Sequence, residues 1–189
     1  MAVNNRDYLN VIERKIIDEL RIFFNTVNSS ANDGVVNVVG QFPEPEELKF
    51  PSVVVQQVGS GFEEQFVGES VTFGGVQYSG EILGVGYLIH IILDKEAELD
   101  VGTTPQGSSK YRQRRLLNWM MLNIANVIND IDWATASTST TGLGYNPNYD
   151  ASVDVQEKHL QAWRDVGYSS RMEWWGASSQ FVITFLNYR

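Results

Sequence analysis

One stretch limits the possible folds most, residues 76–131. It opens with the glycine-punctuated run VQYSGEILGVGYLIHIILDK, crosses an acidic and glycine-rich segment, and ends in SSKYRQRRLLNWMMLNIANVIND. The first run alternates with a period of two, which is strand patterning, and the last repeats apolar residues every three or four positions, which is helix patterning. Within the strand, Gln77, Ser79 and Glu81 share a parity with Leu83, Val85, Tyr87, Ile89, Ile91 and Leu93. One face of a straight strand does not pass from wet to dry without cause. Gly80, Gly84 and Gly86 supply one, a bulge or bend that sends the second half into the core. His90 falls on the other parity, as a partly exposed strand histidine. As a metal ligand it needs more partners than this chain supplies.

The flanking segments extend the pattern. Tyr8, Ile12, Ile16, Leu20, Phe23, Phe24 and Val27 form one apolar stripe, so residues 5–27 are expected as a helix capped by Asn4 or Asn5. Such a helix either faces a partner or covers its own sheet. Short strands follow at Val35–Gln41 and, opened by Pro51, at Ser52–Val58. Gly59-Ser-Gly61 is expected as a turn, with short strands around Gly68 and a hairpin turn at Gly74-Gly75. Residues 95–108 are expected as loop, with Ser108 or Ser109 capping a helix whose core stripe is Leu117, Met120 or Met121, Ile124, Val127 or Ile128, and Ile131. The run ATASTSTTGLGYNPNYD has little apolar area to bury. Val153–Gln156 and His159–Tyr168 are expected as strand or turn. Arg171–Trp175 and Gln180–Tyr188 form a closing hairpin about Gly176–Ser179. The last strand is apolar on both faces, which fits a central position. Together these predict a single α+β domain over 1–189, an antiparallel or mixed sheet flanked by two main helices, with extended loops at 59–80 and 132–152.

Composition narrows the function classes. The 189 residues are 43% hydrophobic, enough for a full core, and carry a net charge of −9. That balance disfavours sequence-independent DNA binding, which needs many Lys and Arg on phosphates. There are no cysteines, which excludes disulfides, thiolate metal sites and cysteine nucleophiles. MAVNNRDYLN has no apolar h-region, so no signal peptide is expected. The apolar run at Leu88–Leu93 is too short to cross a bilayer. A soluble, intracellularly made protein with no membrane partner is the expectation.

No catalytic constellation is visible, and neither catalytic residues, a cofactor nor a metal is expected. HExxH, GxSxG and GxxxxGK[ST] are all absent. Asp94-Lys-Glu-Ala-Glu-Leu-Asp100 starts with the carboxylate spacing of a calcium loop, but Leu99 stands where glycine is required and Pro105 where the bidentate glutamate belongs. A solvated acidic loop fits better. The feature no fold requires is the basic cluster Lys110, Arg112, Arg114 and Arg115. On the first turns of a helix, where the dipole prefers anions, these cations cost roughly a few tenths of a kcal/mol each unless something negative faces them. They form either a solvated face with arginine stems over apolar surface or an inter-subunit salt-bridge patch; phosphate contact ranks third.

The opening helix VIERKIIDELRIFF, the strands FPSVVVQQV and LGVGYLIHIILD, the helix RRLLNWMMLNIANVI and the terminal strand SSQFVITFLNYR carry a resemblance that spans most of the chain. In this order they resemble the tail terminator, or tail completion, proteins of tailed bacteriophages. The resemblance implies a structural, non-enzymatic homo-hexameric ring on the end of a tail tube. Such a ring stops polymerisation and offers a surface to neck or head–tail connector proteins. The implied partners are the tail tube protein, the connector and, in a contractile tail, the sheath, with DNA passing through the lumen unbound. The implied location is the tail or neck of the virion, after assembly in the host cytoplasm. Two alternatives stand beside it. One is a neck or head–tail joining protein; the other is a carbohydrate-binding or hydrolytic module using Trp163, Trp174 and Trp175 with Glu157, Asp165 or Glu173.

Overall fold

Alternation along the long strand dictates the architecture. In a computed structural model that describes residues 8–27, 36–44, 49–73, 76–101, 110–133 and 154–188, Val76–Asp94 is one strand, β3, with Val85, Tyr87, Ile89, Ile91 and Leu93 all buried on one face. On one side β3 pairs antiparallel with β2 (Ser52–Phe73), on the other with β8 (Trp174–Tyr188). The register places Val53 and Val55 of β2, and Ala177, Phe181, Ile183 and Phe185 of β8, on that same buried face. β1 (Asn37–Val39) joins β2 in parallel, while β6 (Asp154–Leu160) and β7 (Arg164–Ser169) share the far side of β8. The sheet order is β1-β2-β3-β8-β6, with β7 beside the first part of β8.

Two helices cover the apolar face. α1 (Tyr8–Val27) presents Val11, Ile12, Ile16, Leu20 and Phe24, and α2 (Gln113–Asp130) presents Leu116, Leu117, Met120, Ile124 and Ile128. The α+β class read from the sequence is the observed one: a mixed sheet with two helices. Trp119 of α2 packs 6.0 Å from Phe23 and 6.3 Å from Phe24, which locks the helices together. α1 is also anchored by polar contacts. The Arg21 guanidinium donates to the Val38 carbonyl through Nε at 3.1 Å and Nη2 at 2.8 Å, and the Tyr87 hydroxyl donates to the Leu9 carbonyl at 2.8 Å. Lys15 is buried, with its ammonium 5.7 Å over the Trp133 ring, so the stem packs in the core while the charge meets a π face.

Several expectations change. Residues 59–80 are not an extended loop: 59–73 and 76–80 are the distal halves of β2 and β3, while 74–75, the expected hairpin turn, lie outside the described residues. The glycines signalled turns, but three register breaks along β2, at Gln57/Gly59, Phe62/Glu64 and Gln65/Ser70, absorb them without ending the strand. For the same reason the irregularity lies on β2, whereas β3 runs against β8 without a shift. The closing hairpin turns at 170–173, with Glu173 at φ 57°, and not at Gly176–Ser179, which are strand. Ser179 fits there because its hydroxyl donates to the Gln161 carbonyl at 2.7 Å. Part of the 95–108 loop is β4 (Glu98–Asp100), paired with β5 (Lys110–Arg112) and tacked to the core by the fully buried Leu99. α2 therefore starts at Gln113, with the extended Arg112 before it, later than a serine cap would set. The caps Asn4, Asn5, Ser108 and Ser109, and nearly all of the loop expected at 132–152, lie outside the described residues.

Tyr87 ties the centre of the sheet to the start of α1, so its hydroxyl has a measurable weight. Tyr87→Phe is expected to destabilise the fold by about 0.5–1.5 kcal/mol, because the Leu9 carbonyl loses a buried donor. Urea denaturation of both proteins, with an unchanged slope, checks it.

Candidate functional site

The basic cluster is split by the turn from β5 into α2. Lys110 and Arg112 lie on β5, not on the helix, and both reach across the β4–β5 ladder to Glu98: Lys110 Nζ at 2.8 Å, and Arg112 through two nitrogens. The hydrogen bond from Lys110, seconded by Arg112, holds the Glu98 carboxyl below the usual carboxylate range. Arg115 folds back over the Tyr111 ring, its guanidinium carbon 4.0 Å from the centroid. Arg114, also exposed in the first turn of α2, has no ion pair or ring contact among the described residues. Gln113 at φ 49° makes the sharp junction between the two halves. The cluster is thus three internally engaged cations and one that points outward.

The sheet face away from the helices carries a second feature that the sequence did not assemble. His90 of β3 and Ser178 of β8 are register partners there, one step from the pair Ile92 and Gly176. Asp165 of β7, at φ 53°, accepts a hydrogen bond from Ser178 Oγ at 3.2 Å. The left-handed backbone belongs to a register break between Arg164 and Gly167 that brings Asp165 over β8. Aspartate tolerates this conformation better than most residues, yet it carries strain of the kind found where a side chain is being aimed. The Phe42 ring lies 5.0 Å from the His90 imidazole, inclined at 56°. Trp174, braced 6.2 Å from Phe50, completes a cleft of about 460 Å³. That volume is typical of a small-ligand pocket, roughly 300–1,000 Å³. Phe42, Val166 and Tyr168, exposed by 48%, 46% and 46%, all line it, so the cleft carries an open apolar rim.

Burial pushes the His90 imidazole below its ordinary value of 6.5, and the nearby Asp165 carboxylate partly offsets this. His90 is therefore neutral at pH 7, and Asp165 supplies the cleft's negative charge. Ser178 Oγ donates to that carboxylate. The register break was the missing signal: Asp165 and Trp174 stood out in the sequence as members of one candidate sugar-binding set, but His90 was read apart from them, and Phe42 and Ser178 did not stand out at all. Trp163 and Trp175 pack partly against the core instead, and Glu157 lines a separate pocket of about 400 Å³ with Lys158 and His159. Among the described residues no three His, Asp or Glu side chains converge as a metal site, and Glu98 is occupied by its two cations. No described helix is long and apolar enough to cross a membrane. No protein-family model matches the chain, and no curated protein sequence matches it.

The depressed His90 value fixes a pH dependence. The unfolded chain takes up this proton before the folded one does, so stability falls as pH drops from 6.5 toward the lowered value and levels off beneath it. His90→Gln is expected to flatten that slope. Urea midpoints measured on either side of 6.5 for both proteins check this, with an unchanged slope counting against it.

Proposed function

We propose that this chain is a structural subunit of a tailed bacteriophage: a tail terminator that forms a six-fold ring on the end of the tail tube, halts its polymerisation and offers a surface to the head's neck proteins. The carrying observation is the state of β2 and of the ribbon it makes with β3. β1 covers only Ser52–Val54, so from Val55 to Phe73 the outer edge of β2 meets no other described strand. Past Gly80, opposite Tyr188, β3 has no further pair with β8 among the described residues, and the pairs Ser70↔Ser79 to Phe73↔Val76 continue with no third described strand beside them. A two-stranded ribbon is marginal by itself in water, and an open strand edge is a template for another chain. An adjoining subunit or the tail tube supplies that surface. The three breaks along β2 interrupt the template and restrict pairing to a shaped partner.

The rest follows from assembly physics. A contact between unlike patches of identical subunits closes into a ring when its rotation allows. A subunit charge of −9 lets DNA traverse the lumen without adhering, since phosphates are repelled. The proposed partners are further copies of this chain, the tail tube protein, neck or connector proteins and, in a contractile tail, the sheath. The subunit is assembled in the host cytoplasm and retained in the tail or neck of the virion. Its action is binding, with no catalytic step assigned. A head–tail joining protein one ring higher meets the same physical requirements. The carbohydrate reading draws on Trp174 and Asp165 sharing a cleft, but Trp163, Trp175 and Glu157 lie elsewhere.

Electron microscopy of particles made without this gene product separates these readings. Tails of uncontrolled length lacking heads are expected. Tails of normal length beside detached filled heads reassign the chain to the neck, and unchanged infectious particles end the assembly reading.

A further inference from the structure

We infer that the cleft bounded by Phe42, His90, Asp165 and Trp174 is the receptor for a guanidinium, and that its occupant is Arg114 of a second copy of this chain. The inference rests on the ring reading and names the contact that closes the ring. The chemistry of the cleft is that of a cation receptor. Asp165 is exposed and keeps acceptor capacity, since among the described residues only the Ser178 hydroxyl donates to it and a carboxylate offers about four lone-pair positions. Phe42 and Trp174 offer ring faces, on which a planar guanidinium stacks better than an ammonium. His90 is neutral and none of the residues lining the cleft is a lysine or arginine, the nearest cation in register being the exposed Arg164 opposite Ser178 at its edge.

Within the basic cluster at the junction of β5 and α2, one residue is a suitable guest. Lys110 and Arg112 are engaged with Glu98, and Arg115 lies on Tyr111. Arg114 alone of the four projects without a partner among the described residues. Position matters as much as charge. The cleft opens on the sheet face away from the helices, and Arg114 starts the helix on the other face. A protomer therefore cannot satisfy its own cleft with Arg114, but the next one can, through a head-to-tail contact of the kind that builds rings. The apolar rim of Val166 and Tyr168 then packs against the first turn of the incoming α2, and desolvation strengthens the ion pair.

The absence of native cysteine makes the contact directly testable. Asn118→Cys sits one turn after Arg114 on the same helix face, and Val166→Cys sits on the rim of the cleft. The full-length double variant, oxidised at high subunit concentration, is expected to give a ladder of disulfide-linked multimers beyond the dimers that either single variant gives. Adding Arg114→Glu or Asp165→Arg is expected to weaken association about tenfold or more, and combining both reversals to restore it. A ring whose mass and cross-linking ignore both reversals overturns the arginine contact and leaves the ring reading standing. A double variant that gives only the dimers of the single variants overturns the contact as well. Tryptophan quenching by a glycan series without any ladder overturns it too, and assigns the cleft to a sugar.

Discussion

The uninterrupted ladder between β3 and β8 is the constraint on which everything else depends. It runs from Gly80↔Tyr188 to Asp94↔Trp174 without a shift, and in a strand pair one slipped residue sends every side chain to the wrong face. Because the register holds, Val85, Tyr87, Ile89, Ile91 and Leu93 line up with Ala177, Phe181, Ile183 and Phe185, and the helices find a continuous apolar surface. The same register sets His90 beside Ser178 on the reverse face. Core and cleft are two consequences of one alignment.

Irregularity is concentrated elsewhere, and it has consequences. β2 takes three breaks where it leaves the core, and β7 takes one at Asp165. The breaks on β2 are in its pairing with β3, over the length whose other edge meets no described strand, and the kinks they introduce make that edge a less regular template than a continuous strand. The break on β7 delivers a carboxylate to a surface that otherwise offers rings, hydroxyls and a neutral imidazole. In the proposed account the bulged strands form the contact surfaces and the regular ladder holds them at fixed distances.

Much of the fold was legible because its signals are local. The stripe Ile12, Ile16, Leu20 and Phe24 is a helix by spacing alone, and the two-faced apolar run at Phe181–Leu186 marks a central strand. Glycine misled inside several strands: Gly59, Gly61 and Gly68 suggested loop, Gly176 suggested a turn, and Gly80, Gly84 and Gly86 suggested a bulge on β3 where the extra residues lie on β2. Local sequence does not distinguish a bulge from a turn when the deciding factor is a neighbouring strand such as β3. The basic cluster was legible as four residues, but its division was not. Glu98 is brought to Lys110 and Arg112 only by a short ladder across residues 101–109. The cleft was the least legible, since its members come from four separate segments and meet only through register.

Hydrogen exchange along the β2–β3 ribbon tests the central claim most directly, by comparing the isolated chain with the chain in purified particles. The account predicts that amides of 70–73 and 76–79 exchange rapidly in the isolated chain and become protected in the particle, while those of Tyr87–Ile92 are protected in both. Equal protection of the ribbon in both states, or absence of the chain from particles, would contradict it.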